Sequence, residues 1–240
     1  MLPVSPLKST SLILSGVIAL HLPSAIRAQA PEAAQSATDV YRPSAGIWLG
    51  AAFHQALKTR LGHTHDNDIY VLDVFQAWPI LGSPTVRLDY VAEVVPAILA
   101  TGIPKYYLSQ VNPPGANARN PPPSGGTFVE RLRGNSTVYG LGVVPVAIRL
   151  QARVARAFAI SLGGAGGLTW FSAPIPDPDE RRLNWLARAD ASLSIGCHSG
   201  RSVTAGFRLL HISNGGVGPV NPGMNGRLIT LGLASDCSVH

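Results

Sequence analysis

Val86-Arg87-Leu88-Asp89-Tyr90-Val91-Ala92-Glu93-Val94 swings between two kinds of side chain with a period of two. Successive side chains of an extended chain leave opposite faces. Val86, Leu88, Tyr90, Ala92 and Val94 therefore share one face, and Arg87, Asp89 and Glu93 point the other way. The period returns at 188–195, where Ala189, Ala191, Leu193 and Ile195 oppose Arg188, Asp190, Ser192 and Ser194. A period of two predicts strands. Two architectures accept it. A soluble sandwich buries the apolar face and wets the charges. A membrane barrel turns the apolar face to lipid and gathers Arg87, Asp89, Glu93, Arg188 and Asp190 in a polar lumen, where they can pair.

Spacing separates the two. Working outward from 85–98 and 184–197, further apolar or alternating segments fall at 45–54, 68–78, 137–150, 157–166, 202–213 and 225–235. That makes eight, an even number and the smallest size for a closed membrane barrel. The connections 79–84, 151–156 and 198–201 are short, while 55–67, 99–136, 167–183 and 214–224 are longer. Short turns at one end and long loops at the other are the habit of outer-membrane barrels. The expected fold is all-β, an eight-stranded antiparallel transmembrane β-barrel, with a soluble secreted β-domain as the weaker option.

Composition agrees. Only 13% of the 240 residues are charged, about half the share usual for a soluble domain. No run after the N-terminus reaches the ~18 apolar residues of a spanning helix. With 25 glycines and 20 prolines the chain is poorly suited to helices. The net charge of +6 comes from scattered Lys and Arg, which argues against nucleic-acid binding and suits an anionic lipid surface. Lys8, the apolar run 11–25 and Ala28-Gln29-Ala30 read as an export signal over residues 1–30, leaving 31–240 as one barrel domain. Cys197 and Cys237 suit an oxidising compartment, but two cysteines make no disulfide framework.

Other clusters carry blander readings. His63-Thr64-His65-Asp66, with Asp68 nearby, has metal-binding residue types but no distant partner, so a solvated loop is expected and no metal is assigned. Gly163-Gly164-Ala165-Gly166-Gly167 lacks the Lys-Ser/Thr of a phosphate loop; small residues that let neighbours approach explain it better. Trp48, Trp78, Trp170 and Trp185 fall near strand ends, as interfacial aromatics do, although core packing would place them equally well.

The chemistry concentrates in Phe207-Arg208-Leu209-Leu210-His211-Ile212-Ser213-Asn214, followed by Asn221-Pro222-Gly223-Met224-Asn225. His211 and Ser213 leave the same strand face as Phe207 and Leu209, with Arg208 toward the lumen. A His and a Ser among lipid-facing side chains are costly, and function is one reason to keep them. Asn225 shares parity with Ile229, Leu231 and Leu233, so it is expected to face outward beside His211.

This motif resembles that of the lipid A deacylase (acyloxyacyl hydrolase-like) family of outer-membrane barrels. There a His, a Ser two residues later and a Glu fourteen residues after the His form a triad on the barrel exterior. The resemblance places the catalytic roles at His211, Ser213 and Asn225, and matches Asn214 and Gly216 to a segment that helps form the oxyanion hole. It implies an esterase that uses no cofactor and acts on lipid A, lipopolysaccharide or a similar outer-membrane lipid, with its site at the outer leaflet. A homodimer is compatible with it. Ser213 would attack an acyl ester while His211 takes its proton. Asn225 departs from the pattern: an amide can orient His211 but cannot stabilise its cation as a carboxylate does. A non-catalytic barrel with a structural or lipid-binding role is the alternative. With both termini in the periplasm, odd-numbered strands rise outward, so His211 and Ser213 reach the extracellular rim and Cys197 and Cys237 the periplasmic one.

Overall fold

The computed structural model describes residues 42–59, 62–111, 127–155, 157–176, 181–197, 201–217 and 223–235. The expected export signal and Cys237 lie outside them, as do the side chains of His63, His65 and Cys197. Eight strands follow in order: β1 Ser44–Thr59, β2 Gly62–Gly82, β3 Val86–Val111, β4 Thr127–Ala155, β5 Phe158–Phe171, β6 Leu183–Cys197, β7 Arg201–Ser213 and β8 Met224–Ala234. Each pairs antiparallel with its neighbours, and β1 closes on β8 from Gly46↔Ala234 to Ala51↔Ile229. Closure removes the sheet edges, whose unpaired N–H and C=O groups are intolerable in hydrocarbon.

The alternation falls on the two faces as the sequence requires. Tyr90 and Val94 of β3 are exposed on the outside, as are Leu193 and Ile195 of β6, while Asp89 and Glu93 are buried. Leu49, Leu141, Val146, Ile148, Leu162, Leu209, Ile229 and Leu231 extend the same belt around the barrel, each about half exposed or more. A closed barrel wearing its large aliphatic residues outside and its charges inside is an outer-membrane barrel. Aromatics stand on this exterior toward both ends: Trp78 stacks on Tyr90 at 5.7 Å near the short-turn end, and Trp170 and Trp185 lie near the other. Trp48 corrects the girdle expectation. It turns into the lumen and tilts against Phe75 at 6.3 Å, which itself lies under the Arg149 guanidinium.

Inside, the anticipated ion pairs form and recruit more partners. Asp89 holds Arg87 at 2.9 Å and Arg149 at 2.8 Å. Arg188 binds Glu93 and, at 3.0 Å, Asp190, while Arg208 bridges Asp190 at 2.5 Å and Asp73. Charges buried this deeply are tolerable only when paired. Toward the long-loop end the lumen becomes apolar, filled by Ile69, Val95, Ile98, Val138, Ile212, Met224 and Leu228. A cavity of about 40 Å³ beside Arg188 and Arg208 has room for no more than a few waters, so the described residues pack this stretch of lumen and leave no wide channel.

Strand lengths depart from the expectation at the long-loop end. A strand needs ~9–11 residues to cross a bilayer, yet β3 has 26 and β4 has 29. Most of 99–136, read from sequence as a loop, is a strand pair running on to Val111↔Thr127. Likewise β1 and β2 continue to Thr59↔Gly62. Beyond the lipid a ladder needs only backbone partners, so these stretches lack the apolar alternation by which a strand is recognised.

Candidate active site

β7 and β8 are adjacent, and their register sets His211 directly opposite Asn225. The two side chains meet on the outside of the barrel, His211 Nδ1 lying 2.8 Å from Asn225 Oδ1. With the amide oxygen as acceptor, Nδ1 carries the proton and Nε2 is left with its lone pair, the tautomer a general base needs. Ser213 shares this face at the end of β7 and opposes Trp185 across the β6–β7 ladder. No hydrogen bond joins Ser213 to His211, a looseness common before substrate binds.

Past Ser213 the chain turns sharply. Gly215 and Gly216 both have positive φ, +68° and +79°, which glycine adopts without strain. Asn214 is buried, and its Oδ1 accepts the Gly216 N–H at 2.8 Å. The Trp185 indole rests on Gly215 so closely that a β-carbon there would lie 2.7 Å from the ring. Gly223, entering β8 with φ +66°, packs the same way on the imidazole: a β-carbon would come 2.9 Å from His211 Cε1. Trp185 thus packs on the turn that follows Ser213, and Gly223 packs on the imidazole of His211.

Of the five residues singled out from sequence, His211 and Asn225 are in contact, and Ser213, Asn214 and Gly216 lie at the end of β7 and in the turn after it. Gly216 is placed differently from a simple oxyanion donor, because its N–H is already engaged by Asn214. Releasing it costs about 1 kcal/mol for a neutral bond, less than a bond to a developing oxyanion returns. Trp185 and Gly223 escaped sequence reading. Trp185 was legible only as an interfacial aromatic, and Gly223 only as a loop glycine. Among the described residues no cluster of three or more His, Cys, Asp or Glu side chains could hold a metal ion. Asp68 instead accepts the His54 N–H at 3.1 Å, where β1 bulges.

Residues 118–234 match the family model described as Lipid A 3-O-deacylase (PagL), a stretch that contains all five residues singled out from sequence. The matched stretch takes in the whole of strands β4 to β8, and so the His211–Asn225 pair on β7 and β8. Among solved structures the chain is similar to the outer membrane enzyme PagL, at 16% identity over 79% of this chain and 97% of that one, with a TM-score of 0.49. It is also similar to Neisserial surface protein A, at 10% identity over 81% and 96% with a TM-score of 0.43. Ail of Yersinia pestis follows, at 10% identity over 80% and 96% with a TM-score of 0.36. No curated protein sequence matches.

Proposed function

We propose that this barrel is a serine esterase of the bacterial outer membrane that removes an ester-linked acyl chain from lipid A. The observation that carries the reading is the 2.8 Å contact between His211 Nδ1 and Asn225 Oδ1 on the lipid-facing wall, with Ser213 on the same face. Asn225 fixes the ring so that Nε2 can take the Ser213 proton as Oγ attacks the acyl carbonyl. The negative charge that develops on the carbonyl oxygen would be met by peptide N–H groups of the 214–216 turn. His211 then returns the proton to the departing sugar hydroxyl, leaving an acyl-serine. Water, activated by the same imidazole, hydrolyses that ester and frees the fatty acid. No cofactor enters these steps.

Asn225 performs half the work of a carboxylate: it orients the ring but leaves the imidazolium without a counter-charge. A second reading follows from this substitution, that the barrel is a non-catalytic scaffold that binds lipid. The test is mass spectrometry of lipid A from cells that carry the wild-type protein, the Ser213→Ala protein or neither. Loss of one acyl chain in the first alone supports the esterase. Identical lipid A in all three leaves the scaffold.

A further inference from the structure

Below the His211–Asn225 pair, the outer face of β8 changes character in order: Asn225, then Arg227, then Ile229 and Leu231. Arg227 is exposed on the outer face of β8, which below it carries the aliphatic residues Ile229, Leu231 and Leu233. Its backbone N–H is taken by Gln55 Oε1 at 3.1 Å, but among the described residues its guanidinium has no carboxylate partner. The lumen arginines all have one. A guanidinium on a lipid-facing strand is expensive near the bilayer centre and tolerable close to the surface, where the long side chain reaches headgroups.

Two further observations surround it. The β1–β8 ladder stops at Ala51↔Ile229, so beside Arg227 the strands are joined by the Gln55 side chain and not by paired backbone. Immediately below, a groove of about 500 Å³ opens on the outside of β8, β1, β2 and β3. Phe53, Tyr70, Ile229 and Leu231 line it, and the small outward residues Ala51 and Ala97 leave it room. A cation at headgroup height above an apolar trough, next to an esterase site, has the polarity of one kind of molecule.

We propose that Arg227 and the groove beneath it form a binding subsite for a phosphate-bearing, acylated lipid, the guanidinium pairing with the phosphate and a retained acyl chain lying in the groove. The proposal rests on the esterase reading for its purpose, since holding the lipid there presents its remaining ester to Ser213. Arg227 is on this view a specificity residue for anionic lipid and takes no part in proton transfer. Its planar fork suits a phosphate better than a point charge would.

The experiment measures binding and turnover separately. Detergent-solubilised barrel carrying Ser213→Ala is titrated with a phosphorylated acyl-glucosamine lipid and with the same lipid after phosphatase treatment. The phosphorylated form should bind more tightly, and Arg227→Ala should shrink that preference roughly tenfold or more, the size of a charge-assisted pair. Arg227→Lys should restore part of it, and a retained heat-modifiable band confirms folding of both variants. On the Ser213-containing protein, kcat/KM for the two lipids should show the same change in ratio. An undiminished preference in Arg227→Ala, or no preference in the parent barrel, overturns the subsite. Failure of wild type to release fatty acid from either lipid overturns the esterase and leaves the binding result standing alone.

Discussion

Gly223 and His211 are packed so closely that a β-carbon on Gly223 would sit 2.9 Å from the imidazole Cε1. The glycine backbone is therefore one wall of the slot that holds the ring, and its φ of +66° is one that other residues reach only at a cost. Gly223→Ala should add about 1–2 kcal/mol of backbone strain and push His211 away from Asn225. Deacylation should fall at least tenfold, and the urea midpoint of the barrel should drop only by what that strain accounts for. An unchanged rate would show that the ring position does not limit catalysis.

Asn225 is the most informative position in the molecule. Replacing it by Glu supplies the counter-charge that an amide lacks, at a site already placed opposite His211. Asn225→Glu should raise the deacylation rate at least tenfold, equivalent to about 1.4 kcal/mol of barrier. Asn225→Ala should lower it, because nothing then selects the Nδ1–H tautomer. Steady-state release of fatty acid by the three proteins checks both directions. No activity in wild type together with no gain in Asn225→Glu would make the site vestigial.

Trp185 makes no bond to substrate in this mechanism, but its indole holds Gly215 in place. Trp185→Ala should loosen the 214–216 turn and reduce kcat more than it raises KM, because the turn's N–H groups matter most once the oxyanion forms. Trp185→Phe should recover part of the loss. A purely interfacial role would instead alter insertion into membranes and leave kcat alone.

Arg208 bridges Asp73 and Asp190 inside the barrel. Arg208→Leu takes the nearer guanidinium from buried Asp73, which keeps Arg188 only at 4.0 Å, while part-exposed Asp190 keeps Arg188 at 3.0 Å. The cost should approach the roughly 3–5 kcal/mol usual for half of a buried pair. Urea titration in detergent, read by the shift between folded and unfolded bands, measures it. Removing Asp73 as well, with Asp73→Asn, should return part of the loss. Equal stability of the single variant and wild type would mean that water, not Arg208, satisfies the acids.

Much of this was written in the chain. The two faces and the lumen charges followed from Val86–Val94 and 188–195, because a wall between lipid and a packed interior imposes a period of two. The strand count and barrel followed from eight such segments with alternately short and long connections. His211, Ser213 and Asn225 were legible because parity alone puts all three outside. The long β3–β4 ladder was not, since beyond the lipid nothing requires its residues to alternate. Nor was the inward turn of Trp48: its room comes from Gly232 across the β1–β8 seam, where a β-carbon would lie 2.8 Å from the indole. Arg227 passed unnoticed for a related reason. A lone arginine in a sequence does not reveal that its strand has parted from β1 beside it.

The placement of Ser213 on the outer wall, at the end of β7, has a consequence for the order of events. The two half-reactions want different media: acyl transfer begins on an ester anchored in hydrocarbon, whereas release of the acyl-serine requires water. A nucleophile deeper on β7 would meet its lipid readily and then stall, acylated, for want of water. One raised on the extended hairpins would be well hydrated but beyond reach of the ester. On the esterase reading, Ser213 at the end of β7 would have to stand where both phases are within reach. Its height along the barrel would then act as a timer, and thickening or thinning the bilayer should change which half-reaction limits the rate.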